Sequence, residues 1–181
     1  MLTEYLRYKG IKVLRRFLDH PTTKVHLNQL ARDLAISPAS AKTHCDLLEK
    51  EGLLKTERVG NAKLFSLDND SPYAKQLKKT HALLELKEHG VENTFQGCLA
   101  VALIGSRAKG EHDETSDIDL LRITRAKNTP KEGVEKLQKN VSAEVQVTDI
   151  PYYDWEERKG RGDAFAKETL QNHVLLYGEE L

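Results

Sequence analysis

One short stretch constrains this chain more than any other. Residues 99–104, Leu99-Ala100-Val101-Ala102-Leu103-Ile104, form a continuous apolar run, which predicts a strand buried on both faces. Gly105-Ser106-Arg107-Ala108-Lys109-Gly110 follows at once, then a polar loop over 111–115. Ser116-Asp117-Ile118-Asp119-Leu120-Leu121 then runs into a second strand ending near Thr124. Gly105 lets the backbone pass close to a ligand, with no Cβ in the way. Ser106 opens a predicted helix whose free amides, with the serine hydroxyl, suit phosphate oxygens. Arg107 and Lys109 add positive charge nearby. Asp117 and Asp119 are two apart on a strand, so both carboxylates point to one face, while Ile118 and Leu120 point to the other. Such a pair suits Mg²⁺ (or Mn²⁺), an ion that takes a few carboxylates plus substrate phosphates. Paired ions about 3.5–4 Å apart can stabilise both the attacking and the leaving oxygens of phosphoryl transfer.

An exposed acidic pair alone is common, and a lone Gly-Ser says less. The order strand, Gly-Ser, loop, Asp-x-Asp, strand is far more specific. The segment LIGSRAKGEHDETSDIDLL, residues 103–121, closely resembles the signature of the minimal nucleotidyltransferase family, within the polymerase-beta-like superfamily. The resemblance implies a small mixed sheet flanked by helices, NTP and Mg²⁺ binding, and nucleotidyl transfer to a hydroxyl. It assigns Gly105 and Ser106 to the triphosphate and Asp117 and Asp119 to the metal. It also brings a HEPN-type protein into view as a candidate partner, by family analogy alone.

That superfamily carries a further acid on a later strand. The candidate strand is residues 143–150, where Glu144, Gln146 and Thr148 share one face. The family pattern laid on Val145–Asp149 puts Gln146 where the acid belongs, and glutamine neither takes a proton nor supplies a negative ligand. Glu144 lies two residues away, roughly 6.5–7 Å along the strand. Three readings stay open: Glu144 serves as the third catalytic carboxylate, Gln146 leaves a slow or binding-only enzyme, or the domain is a degenerate NTP sensor. The first is the expectation carried forward.

Beyond this, residues 128–140 read as a helix, Tyr152, Tyr153 and Trp155 as aromatics that stack on a base or pack on the sheet, 163–172 as a helix, and 174–177 as a short strand. The resemblance covers residues 95–178.

The first part of the chain follows a different pattern. Ile11, Leu14 and Leu18 recur at helical spacing beside Phe17, predicting a helix over 3–19, which Pro21 ends. Leu27, Leu30, Ala31 and Leu34 predict a short helix over 26–34. Ser37 is a good N-cap and Pro38 suits the first helical position, so a third helix runs to about residue 50, where Gly52 stops it. Residues 53–58 and 63–67 read as two strands joined by a Gly60-Asn61 turn. The stretch from Leu27 to Leu67 resembles the winged helix-turn-helix domains of bacterial and archaeal transcriptional regulators. The third helix would then enter the major groove of double-stranded DNA. Its candidate contacts are Ser40, Lys42, Thr43 and His44, with Lys55, Arg58 and Lys63 on flanking phosphates.

The expected architecture is therefore α+β. A winged helix-turn-helix occupies residues 1–70, a linker helix 71–90, and a small mixed-sheet nucleotidyltransferase domain 91–181. The linker reads equally as a spacer or a dimerisation helix; a homodimer is expected because two-fold sites need one. The formal net charge is zero, but residues 1–68 hold 12 Lys and Arg against 8 Asp and Glu, and the remainder 16 against 20. The basic part suits an anionic partner. No apolar run is long enough to span a bilayer. Cys45 and Cys98 lack a CxxC partner and read as small buried hydrophobes, and the opening residues show no signal-peptide pattern. A reduced cytoplasmic setting is expected. The histidines show no zinc spacing.

Overall fold

The computed structural model describes residues 8–95, 97–125, 131–141 and 143–181. The chain divides into two units, Met1–Leu77 and Lys78–Leu181.

In the first unit, helix α1 (Lys9–Asp19) is followed by strand β1 (Val25–His26), helices α2 (Leu27–Asp33) and α3 (Pro38–Lys50), and strands β2 (Leu54–Val59) and β3 (Ala62–Leu67). The first predicted helix reaches back to residues 3–7, which lie outside the described residues. Its buried face is Val13, Phe17 and Leu18, so the stripe centres one position away from Ile11 and Leu14. Ser37 Oγ accepts a hydrogen bond from the Ser40 amide at 3.2 Å, and Pro38 stands at the first turn. The cap thus satisfies one of the free amides that every helix start leaves over. Leu30, Ala41, Cys45, Leu54, Phe65 and Leu67 close the core with Val13 and Phe17. Burial pushes the Cys45 thiol up to about 12, so it behaves as a hydrophobe.

The two-residue connection Gly60-Asn61 is fixed by the pairing of Val59 with Ala62. Only Gly60 takes a positive φ, 60°, as a type II′ hairpin turn requires. Strand β1 pairs with β3 to give the order β1-β3-β2. Two residues are too short to leave a periodic signal, and no strand was expected there.

Helix α4 spans Pro72–Glu88, and the division between the units falls inside it, after Leu77. Within the second unit follow α5 (Val91–Thr94), β4 (Ala100–Leu103), α6 (Gly105–Lys109), β5 (Ile118–Thr124), α7 (Lys131–Asn140), β6 (Val145–Pro151), α8 (Tyr152–Gly160), α9 (Ala164–Asn172) and β7 (Val174–Gly178). Residues 128–130 of the predicted helix lie outside the described residues. The sheet is mixed, in the order β6-β5-β4-β7, with β4 antiparallel to both β5 and β7, and β5 parallel to β6.

Alternation sorts the two faces. Val101, Leu103, Ile118 and Leu120 pack with Leu86, Phe95 and Leu137 on one side. Ala100, Ala102, Leu121 and Ile123 pack with Trp155 and Ala166 on the other. Trp155 is therefore a core residue, while Tyr153 is 79% exposed. Among the described residues, no helix is long and apolar enough to cross a membrane.

Candidate functional site

The site gathers where β4 ends beside the start of β5. The sheet continues past β4 through a hydrogen bond from the Ile104 amide to the Asp119 carbonyl, 2.9 Å. Gly105 then turns the chain with φ +70°. A Cβ placed there would stand 2.4 Å from Asp119 Oδ2. The missing side chain is what lets the backbone and this carboxylate lie together.

The loop before β5 is knitted around Asp113. Its Oδ1 accepts from the Thr115 amide and hydroxyl (2.9 and 2.8 Å) and from the Ser116 hydroxyl (2.9 Å). Hydrogen bonds from the Thr115 hydroxyl and amide, then from Ser116, hold this carboxyl below its ordinary range. Arg107 fastens the same loop from beneath. Its Nε and Nη2 donate to the carbonyls of Asp117 and Ser116, each at 3.0 Å, and Nη1 lies 3.9 Å from Glu85 Oε2. Burial lowers its pKa, with Glu85, Asp117, Asp119 and Asp113 opposing the shift. The sequence put Arg107 beside the expected nucleotide, and the structure shows what its guanidinium does in the fold. Its side chain is buried, and its donors serve the main chain of the Asp-x-Asp turn.

Asp119 is partly buried. Desolvation and then the neighbouring Asp117 raise its pKa, and Arg107 opposes the rise. A cavity of about 240 Å³ opens beside it, lined by Gly105, Lys109, Asp119, Thr148, Phe165 and Glu168, among others. Lys109 faces this cavity but is held by Glu168 of α9 at 2.6 Å. Phe165, Glu168 and Thr148 were not anticipated. Thr148 shared the right face in the strand pattern, whereas the α9 residues meet the site only through tertiary packing.

Register fixes which β6 residue stands opposite Asp119. β6 runs parallel to β5 with Asp119 opposite Gln146, and Gln146 Nε2 donates to Asp117 Oδ2 at 2.7 Å. Glu144 lies one residue before β6. Its carbonyl accepts from the Ile118 amide, 2.7 Å, and its side chain is exposed. The β6 side chain that stands opposite Asp119 and bonds Asp117 is thus the Gln146 carboxamide. Among the described residues, no group of three or more His, Cys, Asp or Glu side chains is placed to hold a metal ion.

In the first unit, Lys42 and Thr43 point outward on α3, with Lys42 paired to Asp46 and the Thr43 hydroxyl donating to the Ala39 carbonyl. Ser40 is half-buried. His44 is misplaced in the expectation: a Cβ at Gly10 of α1 would meet its Nδ1 at 3.2 Å, so the ring faces α1 rather than outward. On the hairpin, Lys63 pairs with Glu49 at 2.7 Å and Lys55 lies 3.8 Å from Asp68. Arg58 is exposed, with no ion pair among the described residues.

Residues 91–176 match the family model described as a nucleotidyltransferase domain. The similarity to that family lies within the second unit. No curated protein matches the chain in sequence. Among solved structures, a double mutant of ZitR from Lactococcus lactis in apo form is similar at 23% identity and a TM-score of 0.38, over 53% of this chain and 74% of that one. A candidate nucleotidyltransferase from Sulfolobus solfataricus is similar at 23% identity and a TM-score of 0.35, over 59% and 89%.

Proposed function

We propose that the chain is a DNA-binding nucleotidyltransferase that moves a nucleotidyl group from an NTP to a hydroxyl acceptor with Mg²⁺. The observation that carries this reading is the approach of Gly105 to Asp119 beside the open cavity, a cradle that a Cβ would fill. Two carboxylates held against a gap in the backbone suit one Mg²⁺ that shares substrate phosphates. Bound there, the ion would draw negative charge from the transferring phosphate. The chain's own residues do the positioning. Arg107 fixes the turn that presents Asp117, Gly105 and Ser106 offer close backbone approach to the triphosphate, and Lys109 can exchange Glu168 for a phosphate oxygen. The acceptor oxygen bonds the α-phosphorus as pyrophosphate departs, and the hydroxyl proton passes to solvent.

The first unit supports a winged helix-turn-helix reading through its element order, the capped α3 and the two-residue hairpin. Lys42, Lys55 and Lys63 would have to leave carboxylate partners to reach phosphates, whereas Arg58 would not. Arg58→Ala is expected to weaken binding to unrelated duplexes equally and to lower the slope of log K against log salt by about one. An unchanged slope would remove Arg58 from the interface. Dimerisation and a HEPN-type partner belong to the same reading, as does a cytoplasmic setting.

Gln146 favours a second reading, a regulator whose domain binds NTP without turning it over. Incubation with each radiolabelled NTP and Mg²⁺, alone and with cell extract, separates the two. Label transferred by the wild type, and not by an Asp117→Asn/Asp119→Asn variant, supports the enzyme. Metal-dependent NTP binding without transfer, lost in the variant, supports the sensor. Absence of both binding and transfer overturns both.

A further inference from the structure

We infer that Gln146 makes this a site for a single divalent ion, by placing a neutral carboxamide where a third carboxylate would recruit a second. The inference rests on the nucleotide-binding reading above and concerns how many ions that site takes.

The geometry is specific. Gln146 stands opposite Asp119 in the parallel register, yet its Nε2 reaches Asp117 Oδ2 at 2.7 Å. A carboxylate only accepts, so the group facing Asp117 must be the donating –NH₂ end. The side chain therefore bridges the two positions and engages one carboxylate oxygen as a donor.

Charge decides the consequence. Asp117 and Asp119 together carry two negative charges, which one divalent cation neutralises. A second cation in the same place would meet repulsion from the first across about 3.5–4 Å, the spacing of two-metal sites, and without a further protein carboxylate it has only the substrate phosphates, which the first ion already shares, to hold it. Gln146 supplies none, and the Glu144 side chain is exposed. Among the described residues, no third acidic, histidine or cysteine side chain completes a cluster. Gln146 is thus a positioning residue: it orients Asp117 for one ion and withholds the ligand for another.

Manganese binding to the full chain tests this, with and without a non-hydrolysable ATP analogue. Equilibrium dialysis gives the ion count, and electron paramagnetic resonance shows whether bound ions lie close enough to couple. The wild type is expected to hold one protein-bound Mn²⁺ per chain, with no coupled-pair spectrum. Gln146→Glu should raise the count to two and produce the coupled signal. Gln146→Ala, which removes the hydrogen bond and adds no charge, should stay at one. A coupled pair in the wild type or in Gln146→Ala overturns this inference and leaves the nucleotide-binding reading standing. So does a folded Gln146→Glu protein that still holds one ion. No bound Mn²⁺ in the wild type, with or without nucleotide, overturns the nucleotide-binding reading itself.

Discussion

Gly105→Ala is expected to leave the chain folded and to weaken nucleotide binding by about 100-fold or more. Two effects add at this position. The residue holds φ +70°, where an L-residue costs roughly 1–2 kcal/mol more than in the right-handed region. The new Cβ would also sit 2.4 Å from Asp119 Oδ2, 3.2 Å from Cγ and 3.4 Å from its Cβ. The crowded atoms belong to a side chain rather than the backbone, so the strain is relieved when the Asp119 carboxylate swings away. The fold then survives while the site does not, because disturbing the groups that orient metal ligands typically costs about 10–100-fold in metal affinity, and losing a ligand outright costs more. Gly97→Ala separates the two effects. Gly97 has φ +84° and open space where its Cβ would go, so it carries backbone strain without a collision and should bind nucleotide as the wild type does. Calorimetric titration with an ATP analogue and Mg²⁺ reads the difference. Equal affinities for Gly105→Ala and wild type would show that the close approach does not matter.

This local character explains which features the sequence displayed. Gly105, Asp117 and Asp119 are a few residues apart around one strand-turn-strand passage, and strand alternation alone puts both carboxylates on one face. The cap at Ser37 and the turn at Gly60 are similarly local, each a matter of two to four residues.

What the sequence hid depends on contacts across long stretches of chain. Arg107 is next to Ser106 and carries the charge a phosphate would want, but tertiary packing turns it beneath Ser116 and Asp117. His44 lies on α3 among outward residues, yet its ring faces Gly10. Alternation placed Glu144 and Gln146 on one face. Only the pairing of β5 with β6 decides which of them stands opposite Asp119, and a parallel strand reached through a helix has no turn to fix its register in sequence. The cavity wall contributed by α9 had no local signal at all.

Acid should destabilise the second unit through His112, by up to about 1.4 kcal/mol for each pH unit below the ordinary histidine range. His112 is 4% exposed, and its Nδ1 has no hydrogen-bond partner among the described residues. Burial, and then the charges of Arg107, Lys78 and His81, push its pKa down to about 3, with Asp113 opposing. The folded state therefore keeps the ring neutral, while the unfolded chain takes up a proton below about 6.5. Between those two values the unfolded state binds more protons, so stability rises with pH and falls as acid is added. Asp119 works the other way, because its raised pKa lets the folded state hold a proton more readily. Asp113, with its lowered pKa, adds to acid loss only within the carboxylate range. Both are unchanged in His112→Phe, so the difference between variant and wild type isolates the histidine. The single tryptophan, Trp155, is buried in this unit, and its fluorescence follows the unfolding of this unit in urea. At pH 7 the two proteins should differ least. By pH 5 the variant should have gained about 2 kcal/mol on the wild type, since a pH unit and a half lies between that point and the ordinary histidine value. Parallel stability curves from pH 7 to 5 would mean that His112 is protonated as readily in the folded unit as in the unfolded chain.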